Sequence, residues 1–154
     1  MPIVEHTAAM RGAPAQLFAL TRSAKLHREW DPFLRDKRLL NGATQVAVGV
    51  REWVRAYTGL SMEVEYVSYN PPHAVAMKMV RGPFFFAQFA GSWRFKAVNE
   101  TETAVTFRYS FKTRWKKLEP VLDVVICWMF QRDVRARVLG LKRGVEEKNL
   151  LARL

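Results

Sequence analysis

The middle of the chain alternates apolar and polar side chains with a period of two. This alternation, interrupted by turn residues at 70–72 and 82–83, is typical of an antiparallel sheet with one buried face. It predicts six strands, over residues 34–41, 46–58, 62–70, 75–79, 89–96 and 105–112. Residues 3–10 predict a further edge strand, which gives about seven strands in all.

Two short helices are predicted between the first strand and the others. Pro14 suits the first position of a helix because its missing N–H costs nothing there, and helical apolar spacing continues to Arg22. The Ser23 hydroxyl can cap a second helix that runs through Trp30. Asp31 ends this helix because the residue before a proline is disfavoured in helical conformation.

A long helix is predicted over residues 117–151, after the last strand. At 1.5 Å per residue it would be roughly 50 Å long. Its first half, residues 121–130, is apolar on almost every side, so we expect this half to be buried on most sides. Gly140 and Gly144 mark positions where the helix can bend.

This order of elements resembles the helix-grip fold of the START-like superfamily, also known as SRPBCC or as polyketide cyclase/dehydrase and lipid transport proteins. The resemblance extends over nearly the whole chain. It is carried by five segments: Ala13–Leu20, Trp30–Phe33, Gly91–Phe95, Thr103–Phe107 and Leu139–Lys142. The glycine-rich loop of the plant allergen members is absent, with only Gly42 nearby, so their ligands are not carried over.

The resemblance implies one α+β domain over residues 1–154, with a curved antiparallel sheet wrapped on the long C-terminal helix. It also implies a ligand cavity between the sheet and the helix. Members of the superfamily bind lipids, sterols, quinones, plant hormones or polyketides, and only some are enzymes.

The strand alternation indicates which side chains face the helix. These large apolar and amphipathic groups either fill a core or line a cavity, and Met and Tyr suit an adaptable apolar pocket. Together with two aromatic loops and the long helix, they give the predicted ligand-binding residues: Trp30, Phe33, Glu52, Tyr66, Met77, Met79, Phe85, Trp93, Phe95, Phe107, Tyr109, Trp128 and Met129.

Glu52 lies in an otherwise apolar row of its strand. An inward carboxylate must be paired, or neutral with a raised pKa, so Glu52 is either a ligand anchor or an acid–base group. The alternative is a β-bulge that turns Glu52 to solvent. Arg51 and Arg55 flank it as possible partners, while Tyr66 and Tyr109 complete a sparse set of catalytic candidates.

Two loops carry large apolar side chains that water would otherwise surround. One is Trp30–Phe33, and the other is Phe84–Phe86. For Phe84–Phe86, three interpretations are open: a cavity lid, a partner surface or the end of the core. We predict that at least one loop borders the cavity mouth and acts as its lid. The loop would close on the other loop, on the start of the long helix near Trp128 and Met129, or on a ligand.

The chain of 154 residues has a net charge of +11, from 25 Lys and Arg against 14 Asp and Glu. This excess bears on partners and not on fold. The basic side chains form either a solvated face or a footprint for an anionic membrane or RNA, although no motif specific for nucleic acid is present. They cluster at Arg35, Lys37, Arg38, Lys112, Arg114, Lys116, Lys117, Arg132, Arg135, Lys142 and Arg143.

The composition excludes several other kinds of site. The single cysteine, Cys127, rules out an intramolecular disulfide, and no metal or cofactor is expected. The histidines His6, His27 and His73 are scattered, and a surface or capping role is expected for each. The N-terminus lacks the basic start and apolar core of a signal peptide, so a cytoplasmic location is expected.

Three functions therefore remain open. The first is binding or transfer of a hydrophobic small molecule, such as a lipid, a quinone or a polyketide-like compound. The second is a polyketide cyclase or dehydratase, for which the residues give no convincing catalytic set. The third is a protein- or RNA-interaction module that uses the basic surface. The residues leave the oligomeric state open.

Overall fold

Seven strands and three helices follow one another in the predicted order. The computed structural model describes residues 2–154. The strands are β1 (Ile3–Arg11), β2 (Leu34–Leu39), β3 (Arg51–Ala56), β4 (Ser61–Asn70), β5 (Ala74–Arg81), β6 (Phe86–Ala97) and β7 (Glu102–Thr113). The helices are α1 (Pro14–Arg22), α2 (His27–Trp30) and α3 (Glu119–Glu146), followed by a 3-10 turn at Leu150–Arg153.

The strands form one antiparallel sheet in the order β1-β7-β6-β5-β4-β3-β2. β1 forms one edge of the sheet and pairs with β7 along its whole length, from Ile3 opposite Ser110 to Arg11 opposite Glu102. The curled sheet wraps around α3, with α1 and α2 following the first strand. The predicted helix-grip α+β fold is confirmed.

Several predicted boundaries differ from those in the structure, and three of the differences have a clear physical reason. The strand expected over 46–58 spans only Arg51–Ala56, because Gly49 turns the chain at a φ of 89°. The helix expected from Ser23 begins only at His27, after a turn in which the Ser23 hydroxyl accepts from the N–H of Leu26 at 3.3 Å. The long helix ends at residue 146, since Asn149 adopts a left-handed conformation that turns the chain into the 3-10 segment.

The two halves of α3 differ in how they pack. In the second half, Val134, Val138 and Leu141 are fully buried between the sheet and α2. In the first half, Val124 and Trp128 are 70% and 65% exposed. The prediction that this half is buried on most sides was therefore wrong: it meets the sheet on one side, and within residues 2–154 no element covers its other side.

Gly140 and Gly144 allow the chain at α2 to approach α3 closely. A Cβ built on Gly140 would lie 2.4 Å from the carbonyl oxygen of Trp30, and one on Gly144 would lie 2.9 Å from Trp30 Cβ. The helix runs unbroken through both glycines. Their role here is close packing, which fixes Trp30 and the loop after it against the helix.

Candidate functional site: a cavity between the sheet and the long helix

A cavity of about 400 Å³ lies between the inner face of the sheet and the first half of α3. This volume falls in the range of small-molecule pockets. Its walls are mainly apolar and are formed by residues such as Val64, Met77, Trp93, Phe107 and Phe130.

The cavity opens where the β3–β4 turn, the β5–β6 turn and the start of α3 meet. Among its lining residues, Leu60, Trp115 and Met129 are 54%, 43% and 49% exposed, which locates the mouth. Phe85, from the β5–β6 turn, lines the same region.

The other end of the cavity is polar. Glu52 stands at the start of β3, away from the β3–β4 turn, and is 5% exposed. The Tyr66 hydroxyl donates to Glu52 Oε2 at 2.6 Å and accepts from Arg22 Nη1 at 2.9 Å. Glu52 is thus inward and paired through Tyr66, and the alternative of a bulge that turns it to solvent is wrong.

The expected partners of Glu52 lie elsewhere. Arg51 points to the outer face of the sheet, where its Nε lies 3.5 Å from Glu65 Oε1. Arg55 lies on β3 opposite Asp36 and, like Arg51, is absent from the cavity wall. Arg22 at the end of α1 takes their place, acting through the Tyr66 hydroxyl.

Lys37 adds a second cation at the polar end. Its Nζ donates to the carbonyl oxygen of Thr21 at 3.0 Å, and its side chain lines the cavity. Burial, together with the nearby Arg22 guanidinium, lowers the pKa of Lys37 to about 7, and Glu52 offsets this only in part. The ammonium and neutral amine forms are therefore both accessible near neutral pH.

A β-bulge explains why Lys37 faces inward. The pairing of β2 with β3 shifts between Leu34 and Asp36, so that Leu34 and Lys37 both point into the cavity although they are three residues apart. Bulges commonly re-aim a side chain in this way.

A buried charged network closes the cavity beside α2. Arg137 of α3 donates to Asp31 Oδ2 at 2.8 Å and to the Tyr109 hydroxyl at 2.6 Å. Burial alone would raise the pKa of Asp31, but Arg137 and the His27 ring outweigh it and hold that pKa well below its usual range. Burial also raises the pKa of Tyr109, so its hydroxyl keeps its proton.

His27 belongs to the same network. Its Nε2 lies 2.8 Å from Asp31 Oδ2, and the residue is 3% exposed. Burial lowers the pKa of His27 to about 4, which Asp31 offsets only in part, so the ring is neutral at pH 7. The surface or capping role expected for His27 was therefore wrong.

The predicted site residues divide into two groups. The structure brings eight of them together in the cavity wall: Phe33, Glu52, Met77, Phe85, Trp93, Phe107, Tyr109 and Met129. The other five lie outside the wall: Trp30, Tyr66, Met79, Phe95 and Trp128.

Each residue outside the wall has a physical reason for its position. Trp30 and Phe95 pack on Trp93 with ring centroids 5.8 and 6.3 Å away, as part of the core. Tyr66 lies behind Glu52 and acts through it. The Met79 side chain packs over Gly82, and Trp128 faces away from the sheet.

Sequence reasoning missed the cationic part of the site. Arg22 was assigned only as the end of α1, Lys37 as one of a basic cluster, and Arg137 was not singled out. The Asp31-Pro32 pair marked the right loop, but no local pattern showed that its carboxylate meets a side chain 106 residues away.

The three consecutive phenylalanines take three different positions. Phe84 is 71% exposed, Phe85 lines the cavity, and Phe86 is buried in the core. The segment thus runs from the surface through the cavity wall into the core, and the lid and partner-surface roles stay predictions.

Two kinds of feature are absent from residues 2–154. No helix in that range is long and apolar enough to cross a membrane. Nor does the same range contain a group of three or more His, Cys, Asp or Glu side chains arranged to hold a metal ion.

The sequence profile described as "Polyketide cyclase / dehydrase and lipid transport" matches residues 1–146. No curated protein sequence matches the chain.

Solved structures share the fold at low sequence identity. A START superfamily protein from Mycobacterium smegmatis has a TM-score of 0.78 at 8% identity, over 95% of this chain and 98% of that one. The Zhui aromatase/cyclase from a Streptomyces species has a TM-score of 0.71 at 13% identity, over 96% and 97%. A norcoclaurine synthase point mutant from Thalictrum flavum, in complex with a transition-state analogue, has a TM-score of 0.69 at 8% identity, over 96% of each chain.

Proposed function

Because the chain belongs to the polyketide cyclase/dehydrase and lipid transport family, we propose that it binds and transfers a hydrophobic small molecule with an acidic head group. One observation carries this proposal, namely the distribution of polarity inside the cavity. The walls are apolar, and the end away from the mouth holds Arg22, Lys37 and Glu52. Pockets of this kind enclose an apolar body and orient it with a few polar groups.

The charges at the polar end favour an acidic head group. Arg22 and Lys37 both donate to neutral oxygens, those of Tyr66 and Thr21, while Glu52 accepts from the Tyr66 hydroxyl. The polar end thus holds two cationic side chains and one carboxylate. A ligand carboxylate beside Lys37 would offset the burial that lowers its pKa, and would therefore be bound with the ammonium form.

A carrier is favoured over an enzyme because the polar groups satisfy one another. Tyr66 keeps its proton, since burial raises its pKa, and it donates that proton to Glu52. The Tyr109 hydroxyl instead accepts a hydrogen bond from Arg137 Nη1, and burial raises its pKa. The Tyr66 hydroxyl can therefore pass its proton to a bound molecule only after a buried hydrogen bond is broken.

One observation favours the second candidate function, a cyclase or dehydratase. Lys37 has a pKa of about 7 and lines the cavity, so its neutral amine is available as a general base at neutral pH. The amine would remove a proton from the carbon next to a ketone. The likeness to aromatase/cyclases agrees with this chemistry, although it extends only to the fold.

The test compares two molecules that differ only in the head group. Any lipid bound to the purified protein is first removed by extraction and identified by mass spectrometry. Decanoic acid and 1-decanol are then titrated into the protein by calorimetry at pH 6.5. We expect the acid to bind at least tenfold more tightly, and Lys37→Met to remove this difference. Lys78→Met, on the outer face of the sheet, serves as the control.

Two results would contradict the proposal. Equal affinity for the acid and the alcohol would leave an apolar cavity without a head-group site. Formation of an enone from diacetone alcohol, followed by ultraviolet absorbance and lost in Lys37→Met while decanoate still binds, would favour the dehydratase instead.

A further inference from the structure

Large apolar side chains are exposed next to the cavity mouth, in a band that we call the apolar ridge. The ridge consists of Phe84, Trp115, Leu118, Val121, Val124 and Trp128, each between 43% and 71% exposed. Isolated exposed apolar residues are common, but a contiguous set at the mouth of a cavity is characteristic of an interaction surface.

The ridge is continuous from the β5–β6 turn into α3. The ring of Phe84 packs against that of Trp115 with centroids 6.0 Å apart. Along α3, Val121, Val124 and Trp128 follow one another at intervals of three and four residues, which places them on one side of the helix. This side faces away from the sheet, while Leu122 and Ile126 line the cavity from the other.

Basic side chains border the ridge at both ends. Lys112, Arg114, Lys116 and Lys117 precede α3, and Arg132 and Arg135 follow Trp128 on the same side of the helix. The guanidinium of Arg132 lies 5.8 Å from the Trp128 ring centroid. Six basic groups thus accompany the ridge.

Acidic groups in the same stretch are fewer and less exposed. Between residues 112 and 135 the acids are Glu119, Asp123 and Asp133, and all three are half-buried. Asp133 lines the cavity, and burial raises its pKa. The surface that surrounds the ridge is therefore positively charged.

We propose that the apolar ridge docks on an anionic phospholipid bilayer, with the cavity mouth against the lipid. A helix side with Trp and Val that is bordered by Lys and Arg matches the apolar and anionic layers of a bilayer surface. A second copy of the chain fits less well, because a two-fold contact would bring the same basic groups together.

The position of the ridge links docking to the cavity. Trp115 belongs to the ridge and also lines the cavity, so a docked protein holds the mouth at the lipid surface. An apolar molecule then passes from bilayer to cavity with little exposure to water. Docking does not depend on the nature of the head group proposed above, so either proposal can fail without the other.

The experiment measures sedimentation of the purified protein with vesicles of phosphatidylcholine containing about a third phosphatidylglycerol. Val124→Ser/Trp128→Ser is expected to bind at least tenfold more weakly than wild type. Lys116→Gln/Lys117→Gln is expected to lose roughly fivefold per charge at low salt. The matched controls are Val98→Ser and Lys96→Gln, which change exposed residues on and just beyond β6.

Three outcomes would overturn the proposal. The first is vesicle binding by Val124→Ser/Trp128→Ser equal to that of Val98→Ser. The second is equal binding to vesicles without phosphatidylglycerol. The third is a dimer in sedimentation equilibrium that Val124→Ser/Trp128→Ser dissociates, which would assign the ridge to contact between copies. Decanoate titration of each variant shows whether the cavity is intact.

Discussion

Arg137 and Asp31 form an ion pair in the interior, with Nη2 and Oδ2 2.8 Å apart and both side chains almost inaccessible to solvent. The guanidinium also lies 4.4 Å from the Phe107 ring centroid and bonds to Tyr109. The pair joins the loop after α2 to α3 and, through Tyr109, to β7, so it links segments that are far apart in the sequence.

Removing one member of this pair should be strongly destabilising. We expect Asp31→Asn to lower the free energy of unfolding by about 3–5 kcal/mol, because it leaves the Arg137 charge buried without a partner. Urea unfolding measures the change. Asp31→Leu/Arg137→Met, which removes both charges, should recover much of the loss; a double variant as unstable as the sum of the single ones would contradict this account.

Stability should fall as the pH is lowered from 6.5 to 4. Unfolded histidine takes up a proton near pH 6.5, whereas His27 in the fold does so only near its pKa of about 4. The folded state binds fewer protons over this interval, so unfolding is favoured by on the order of 3 kcal/mol at its lower end. Asp31 remains charged there, because its pKa is held low.

The variant His27→Gln isolates this effect. Its free energy of unfolding, measured by urea titration at several pH values, should depend less on pH between 6.5 and 4. His73→Gln, which changes an exposed turn residue, should leave the wild-type dependence unchanged.

Lys37→Met should stabilise the empty protein. Holding a lysine whose pKa is lowered to about 7 costs free energy at pH 7, since the unfolded side chain is fully protonated there. We expect a gain of about 2–4 kcal/mol in urea unfolding. In the wild-type protein, the free energy of unfolding should rise with pH between 7 and 10, because folded Lys37 binds fewer protons than the unfolded side chain throughout that interval. A loss of stability in Lys37→Met would contradict the burial of the charge.

The sign of the stability change in Gly140→Ala tests how closely α2 approaches α3. Helix propensity alone predicts a gain of about 1 kcal/mol for this change in the middle of α3. The contact of the added Cβ with the Trp30 carbonyl oxygen predicts a loss of about 2–3 kcal/mol instead. Thermal unfolding distinguishes the two, and an increase in Tm would show that α2 does not approach the helix this closely.

Alanine variants of Phe85 and Phe86 distinguish a lid residue from a core residue. Phe85→Ala should change the affinity for decanoate with a loss of stability below about 1 kcal/mol, since its ring lines the cavity. Phe86→Ala should lose about 3–5 kcal/mol, because its ring is buried against Phe111 and Phe130. If Phe85→Ala binds decanoate with unchanged affinity but is much less stable, Phe85 is a core residue and not part of a lid.

Strict alternation made the sheet predictable from the sequence. In β7, Val105, Phe107 and Tyr109 point inward as their spacing predicts, because a regular strand alternates its side chains without exception. Glu52 stood out for the same reason, as the one acid in an apolar row, but the sequence left open both its partner and the alternative of a bulge that turns it to solvent.

The remainder of the site depends on features that local patterns do not contain. Lys37 faces inward through a bulge that breaks the alternation of β2, and Arg137 meets Asp31 only once α3 has packed on α2. Apolar content likewise did not distinguish the buried half of α3 from the exposed one. A helix side covered by the protein and one left for another apolar partner have the same composition.

The division of α3 separates two demands on one helix. The stretch that contains Val134, Val138 and Leu141 is committed to the interior, so its side chains are constrained by packing. The stretch from Val121 to Met129 borders the cavity on one side and is exposed on the other. Substitutions in this first stretch can therefore adapt the protein to a new cargo or surface while the fold stays intact, and α3 is a natural place to re-engineer its specificity.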